Sequence, residues 1–244
     1  LPLIVGEGRK KLSKRRDDVA VENYRQAGYL PEAMVNYLAL LGWGPNDGIE
    51  VRPVGEIIEQ FTLEGINPAP AAFDPKKLAH VNAEKVRALS PEEFLDAAEP
   101  YLAQGPWNAD DFDRDVFLAL AGEVQSRVKT LAEVPSMVDF LFLDQPEMDE
   151  ASVAKALTGN EAAPALLDGA IAALADIEWT AAALHAATLA LGEANGLKLG
   201  KAQAPIRVAV TGRTVGPPLF EALALLGRSA TIDRLQRARA LTGG

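Results

Sequence analysis

The 244 residues include no cysteine and only two histidines. Without thiols there can be no disulfide, no thiolate metal site and no cysteine nucleophile, and the composition fits a reducing, cytoplasmic setting. Histidine is the usual acid–base residue. Here His80 and His185 stand far apart, without the carboxylate spacing of a metal or catalytic set, and both read as structural. Aromatic residues make up 6% of the chain, so stacking is expected to count for less than arginine in holding any nucleic acid. No uncharged apolar run of about 18 residues occurs, which excludes a helical membrane span, and no secretory signal is visible. An initiator methionine is missing too: the chain opens at Leu1 inside an apolar stretch, LPLIV, and reads as cut from something longer.

What is present is enough apolar sequence for a core, 48% of residues, and a net charge of -10 that is unevenly spread. Residues 1–16 hold six Lys or Arg against Glu7, a net of +5, and residues 196–244 hold eight against two acids, a net of +6. The middle therefore carries -21. Basic ends on an acidic body can steer a polyanion to chosen surfaces and repel it elsewhere. The alternative is a charge asymmetry with no partner.

Most segments read as helix. Between Val19 and Leu41, the residues Leu30, Met34, Tyr37, Leu38 and Leu41 recur at three and four and form one helix face. Pro31 suits a first turn and Gly42 a stop. GWGPNDGIEVRP (42–53) is a turn-rich connector. A short helix is expected over 56–61 and a longer one over 75–89. Ser90-Pro91-Glu92-Glu93 then starts the next, with serine as N-cap and Glu93 reaching back in a capping box. Further helices are expected over 110–121, 122–133, 135–143, 151–157, 162–175 and 179–194. Pro217 and Pro218 open another, with Leu219, Phe220, Leu223 and Leu226 on one face, and Ser229 caps the last. IRVAVTG (206–212) is the best strand candidate and fits a helix equally well; DQPEMDE (144–150) is a polar break and a candidate domain boundary. The fold class is mostly α.

One basic run has chemical character. In KLSKR (Lys11, Leu12, Ser13, Lys14, Arg15) two lysines flank a serine after a glycine-containing approach, Gly6 and Gly8. Ammonium groups with hydroxyl and backbone N–H donors can wrap phosphate oxygens; a basic surface loop is the alternative. The flanks add to it. LPLIVGEGRKKLSKR with VAVENYRQAGYLPEAMVNYLALLGW resembles bacterial glutamyl-tRNA synthetases, in which a KLSKR-type loop is a class I synthetase signature. FDPKKLAHVN (73–82) and PIRVAVTGRTVGPPLFEALALLG (205–227) carry the resemblance, in the family's order, over nearly the whole chain. His80, where the family often has an aromatic residue, and Arg16–Asp18, in place of a commonly glycine-containing turn, depart from the pattern.

The resemblance implies a C-terminal half: the catalytic Rossmann domain with its HIGH-type motif would lie upstream, absent from this chain. Residues 1–18 would end the catalytic domain, 19–95 form a helical stem-contact region, and 96–148 and 149–244 the two parts of an α-helical anticodon-binding region. The implied reaction joins glutamate to tRNA(Glu) through glutamyl-adenylate, using ATP with Mg2+, in a cytoplasmic monomer. Lys11, Ser13 and Lys14 would be catalytic and Lys11 to Arg15, Leu12 included, would grip ATP. Alone, this half is expected to be inactive, to hold neither ATP nor a metal, and to bind tRNA. Arg127 and Lys129 on a SRVKTLAE helix, Lys201, Arg207, Arg213 and Arg228, and Arg234 with Arg237 on one face of the last helix are the expected tRNA contacts. For each arginine the alternative is a surface salt bridge. A non-discriminating enzyme that also charges tRNA(Gln), a stand-alone tRNA-binding module and a purely structural scaffold are the competing readings.

Overall fold

The computed structural model describes residues 2–6, 10, 12, 20–45 and 47–243, and nearly all of its regular structure is helical. The chain divides into two units. Among the described residues no helix is long and apolar enough to cross a membrane.

The first unit comprises Leu1–Gln104 and Gln125–Val134. Its short strands β1 (Ile4–Val5) and β2 (Ala71–Ala72) pair in parallel, the only sheet among the described residues. Between them run α1 (Val21–Gln26), α2 (Pro31–Leu40) and α3 (Val54–Gln60); α4 (Pro75–Arg87) and α5 (Pro91–Leu102) follow. The apolar stripe over 19–41 is therefore broken into two helices. Gly28, between them, takes φ +87°, and a Cβ there would stand 2.3 Å from the Ala132 nitrogen; only glycine accepts both conditions. Pro31 opens α2. Leu30, Met34, Tyr37 and Leu41 are buried while Leu38 is 43% exposed, because Leu38 lies about 80° around the helix from Leu30.

Tyr37 joins α2 to α4. Its ring meets Phe73 edge-on at 5.2 Å, and its hydroxyl accepts the Asp74 N–H at 2.6 Å. Asp74 in turn caps α4 by accepting from the Lys76 and Lys77 N–H groups. The capping box of α5 is present in full: Ser90 Oγ accepts from Glu93 N–H at 3.2 Å and Glu93 Oε2 from Ser90 N–H at 2.8 Å.

The second unit comprises Gly105–Val124 and Pro135–Gly244. The chain passes along α6 (Arg114–Gln125) and α7 (Val134–Phe142), then α8 (Glu150–Val153), which runs into a π-helical turn at Ala154–Thr158. Then come α9 (Ala163–Leu174), α10 (Ala181–Ala194), α11 (Leu199–Thr211), α12 (Leu219–Leu226) and α13 (Arg228–Leu241). Leu167, Leu174, Leu184, Ile206, Val210, Leu223 and Leu235 form the centre of its core, each at most 1% exposed. Each such side chain contributes about 1.5–3 kcal/mol by leaving water. Residues 144–150 lie inside this unit.

Three expectations are corrected. The helix expected over 110–121 starts at Arg114 and runs on to Gln125 as α6, and the separate helix expected over 122–133 does not form; Asp113 Oδ1 accepts from the Asp115 and Val116 N–H groups and sets the start of α6. SRVKTLAE is not an α-helix but a turn and a bend that run into a 3₁₀ turn at Leu131–Glu133, because its backbone bonds go elsewhere. Lys129 O accepts from Asn82 Nδ2 at 2.6 Å and Leu131 N–H donates to Gly28 O at 2.9 Å. Ser229 does not cap the last helix, which begins at Arg228 directly after Gly227. With φ +87° and ψ 161°, Gly227 turns the chain from α12 into α13 with no residue to spare. The segment 206–212, open between strand and helix, is the end of α11.

Candidate nucleic-acid interface

In the second unit a cleft of about 1370 Å³ opens between residues 106–111, the end of α7 and the start of α13. One wall is aromatic. Trp107 lies nearly parallel to Phe112, 6.0 Å between centroids at 21°, and meets Phe142 edge-on at 5.3 Å. Phe112 and Phe142 stand 4.8 Å apart, so the half-buried indole is backed by two rings. Asn108 and Gln145 add side-chain amides to the lining; Asn108 Nδ2 donates to Asp111 Oδ2 at 2.8 Å. Arg228, Arg234 and Arg237 line it together with Asp111, Asp144 and Asp233, so the lining charges cancel. Such a cleft offers a π-face and amide edges, with little net attraction for a polyanion.

The expected contact residues fall into two groups. Lys201 is exposed on the first turn of α11, and Arg237 is exposed on α13, its Nε 2.9 Å from Asp233 Oδ2. Arg127 and Lys129 are exposed on the turn and bend after α6, in the first unit. The other four arginines are buried or half-buried, and their guanidiniums bond within the fold. Arg207 Nη1 donates to Pro217 O at 2.8 Å. Arg213 reaches Asp139 at 2.6 Å and also donates to Ser136 O. Arg228 donates to the carbonyls of Ala175 and Ile177, with its guanidinium 5.2 Å from the centroid of Trp179. Arg234 is 2% exposed and donates to Phe140 O at 2.8 Å, Val210 O at 2.9 Å and Leu143 O. Burial brings its pKa down to about 10 against the attraction of Asp233, Asp139 and Asp144. Arg234 and Arg237 are three apart, yet one faces the interior and the other the solvent.

Lys11, Ser13, Lys14 and Arg15 lie outside the described residues. Leu12 is half-buried beside Gly6, whose N–H donates to Lys10 O at 2.8 Å. Among the described residues no three His, Asp or Glu side chains gather as a metal site. Trp107, Asn108 and Gln145 were not among the residues singled out from sequence. The only signal was one tryptophan with phenylalanines five and thirty-five residues on, a spacing no helix or strand period connects.

The family described as "Anticodon binding domain" matches residues 93–239, more than half of the chain. The family "tRNA synthetases class I (E and Q), catalytic domain" matches residues 1–80. The chain is 53% identical over 245 residues to the glutamate–tRNA ligase of Thermobifida fusca, covering 98% of this chain and 50% of that protein. It is 54% identical over 241 residues to that of Frankia alni, covering 98% and 51%. A solved glutamate–tRNA ligase from Elizabethkingia meningosepticum superposes with a TM-score of 0.81 at 27% identity, over 99% of this chain and 51% of that one. The chain thus spans about half the length of the curated relatives it matches. It belongs to the anticodon-binding-domain family, and over nearly all its length it is similar to glutamate–tRNA ligases.

Proposed function

We propose that this chain is the tRNA-binding part of a glutamate–tRNA ligase, and that its second unit contacts the anticodon in the cleft beside Trp107. The observation that carries the reading is that the cleft, with its ring-backed indole and two side-chain amides, lies within the stretch matched by the anticodon-binding domain. Splayed RNA bases are held by stacking on aromatic or guanidinium planes and by hydrogen bonds to their edges. Trp107 supplies the plane, and Asn108 and Gln145 have the donors and acceptors for base edges. Arg237 and Lys201 are the phosphate contacts of this unit. The exposed pair of Arg237 with Asp233 is worth less than about 1 kcal/mol, so a phosphate can take the guanidinium over.

The whole protein would join glutamate to tRNA(Glu) through glutamyl-adenylate, with ATP and Mg2+, as a cytoplasmic monomer. Lys11, Ser13 and Lys14 would act on the ATP phosphates, as the KLSKR resemblance implies; without the rest of the pocket they hold no preorganised transition state, and this chain alone is expected not to aminoacylate. Residues 19–95 would contact the tRNA stem, and 96–148 and 149–244 would form the two parts of the anticodon region.

Binding to glutamate tRNA, to the same tRNA with a substituted anticodon and to an unrelated tRNA, each across a salt series, tests the reading. Affinity that falls on anticodon substitution supports it. Equal, steeply salt-dependent binding of all three reduces the chain to a general polyanion surface.

A further inference from the structure

Arg234 lines the cleft beside Trp107, yet it is 2% exposed and spends its guanidinium on main-chain carbonyls. The acceptors come from two places in the chain. Phe140 O and Leu143 O lie at the end of α7, and Val210 O lies near the end of α11. One planar fork on α13 therefore holds the ends of two other helices. The last four carbonyls of a helix have no partner inside it. Since α7 ends at Phe142, Phe140 O is one of these, and a cation there is also favoured by the helix dipole.

What α7 delivers at that end is the wall of the cleft. Phe142, its last residue, meets the Trp107 ring edge-on at 5.3 Å and stands 4.8 Å from Phe112. Gln145 follows three residues on; its Nε2 donates to Asp144 O at 2.7 Å and lies 3.4 Å from Asp233 Oδ2. Asp233 directly precedes Arg234. Residues 140–145 are thus held to α13 twice, by Arg234 through the main chain and by Asp233 through a side-chain amide.

The task suits arginine and not lysine. An ammonium donates from one point, whereas the guanidinium presents Nη1 to Phe140 O and Val210 O and Nη2 to Leu143 O. With its pKa at about 10 it stays charged at neutral pH. Its Nε is buried without a hydrogen-bond partner among the described residues. The side chain is therefore placed to serve the three carbonyls, with one of its own donors left unsatisfied.

We infer that Arg234 is a positioning residue of the anticodon cleft: by fixing the end of α7 it sets Phe142 behind the Trp107 indole and Gln145 at the rim, without itself contacting RNA. The inference rests on the proposed role of the cleft and names the residue that shapes it. A base gains most from a plane held still before it arrives, because ordering that plane on binding subtracts from affinity.

The test uses the full chain labelled with 5-fluorotryptophan, glutamate tRNA and its anticodon-substituted form. Arg234→Lys keeps a cation but not the fork. Phe142→Leu removes the ring that Arg234 places. Leu184→Ala weakens the core of the same unit at a residue that does not line the cleft. In Arg234→Lys the fluorine signal of Trp107, assigned through Trp107→Phe, is expected to move or broaden while that of Trp43, in the first unit, stays. Its preference for glutamate tRNA over the substituted form falls roughly fivefold or more. The salt slope is unaltered, since no phosphate contact is lost. Phe142→Leu reproduces the loss of preference, and Leu184→Ala, though it melts earlier, keeps it. A folded Arg234→Lys with its preference intact overturns the inference and leaves the proposed function standing. A salt slope smaller by about one unit overturns it too, by making Arg234 a phosphate contact. An equal loss in Leu184→Ala ties the preference to stability alone, with the same consequence. If Arg234→Lys does not fold, Phe142→Leu decides, and a preference retained there overturns the inference. An unmodified chain that ignores the anticodon brings down the proposed function and the inference with it.

Discussion

Arg213 Nη2 lies 2.6 Å from Asp139 Oδ2, tying the turn after α11 to α7. Asp139 is nearly buried, and burial raises its carboxyl pKa even though Arg213 and the Phe140 N–H pull the other way. Gly212, just before Arg213, makes the turn: it takes φ +76°, and a Cβ there would stand 2.0 Å from Glu147 O. This relationship decides what Arg213 is for, since a guanidinium spent on a buried carboxylate is not free to hold RNA.

Replacing Arg213 by Met strands that carboxylate, and the expected loss is about 3–5 kcal/mol near neutral pH. The pH dependence has a definite sign. A group with a raised folded pKa contributes stability that is fully present below its ordinary value, 3.8 for Asp139, and lost as pH rises through the raised one. Without Arg213 the raising grows, so the variant recovers part of its deficit on acidification. Urea unfolding of Arg213→Met and of Arg213→Met/Asp139→Leu measures the coupling; a double variant no more stable than the single one would refute it.

Arg234 and Arg237 test how far neighbours in sequence diverge in role. Arg234→Met leaves the carbonyls of Phe140, Val210 and Leu143 without their donor, and costs about 3 kcal/mol or more. Arg237→Gln changes stability by less than about 0.5 kcal/mol, since Arg237 is exposed and its pair with Asp233 is a surface one. Paired thermal melts check the contrast. In the RNA assay Arg237→Gln reduces the salt slope by roughly one unit.

Glu93 gives a titration of the opposite sign to Asp139. The Ser90 N–H and hydroxyl, as partners in the capping box, hold its carboxyl below the ordinary value of 4.5. Its contribution to stability is therefore present above 4.5 and lost as pH falls through the lowered value. Glu93→Gln keeps a hydrogen-bonding side chain but cannot titrate, so the difference in stability from the unmodified chain should shrink on acidification. Unfolding midpoints from pH 7 down to about pH 3 follow it; a constant difference across that range would show that the box makes no pH-dependent contribution.

What the sequence revealed was local. Pro31 and the Ser90–Glu93 box are signals contained within one turn, and each starts a helix where expected. The segment 126–133 misled because its periodicity is overridden by bonds to Asn82 and Gly28, both more than forty residues away. Counting charges misled in the same way. The C-terminal excess of Lys and Arg includes Arg207, Arg213, Arg228 and Arg234, whose guanidiniums bond to carbonyls or a carboxylate within the fold. A sequence records the charge but not the partner. Trp107 was passed over for the converse reason: its neighbours Phe112 and Phe142 come together only in the folded unit.

Trp107 carries the last prediction. If an anticodon base stacks on its indole, Trp107→Leu removes about 1–3 kcal/mol of binding, and affinity for glutamate tRNA falls about five- to 150-fold. No phosphate contact is lost, so the salt slope stays the same while the ratio between glutamate tRNA and its anticodon-substituted form collapses. Trp107→Phe keeps a π-face against Phe112 and should retain most of that ratio, which separates stacking from loss of packing. Fluorescence anisotropy over a salt series reads both quantities from the same titrations, and an unchanged tRNA ratio in Trp107→Leu would remove the indole from the anticodon site.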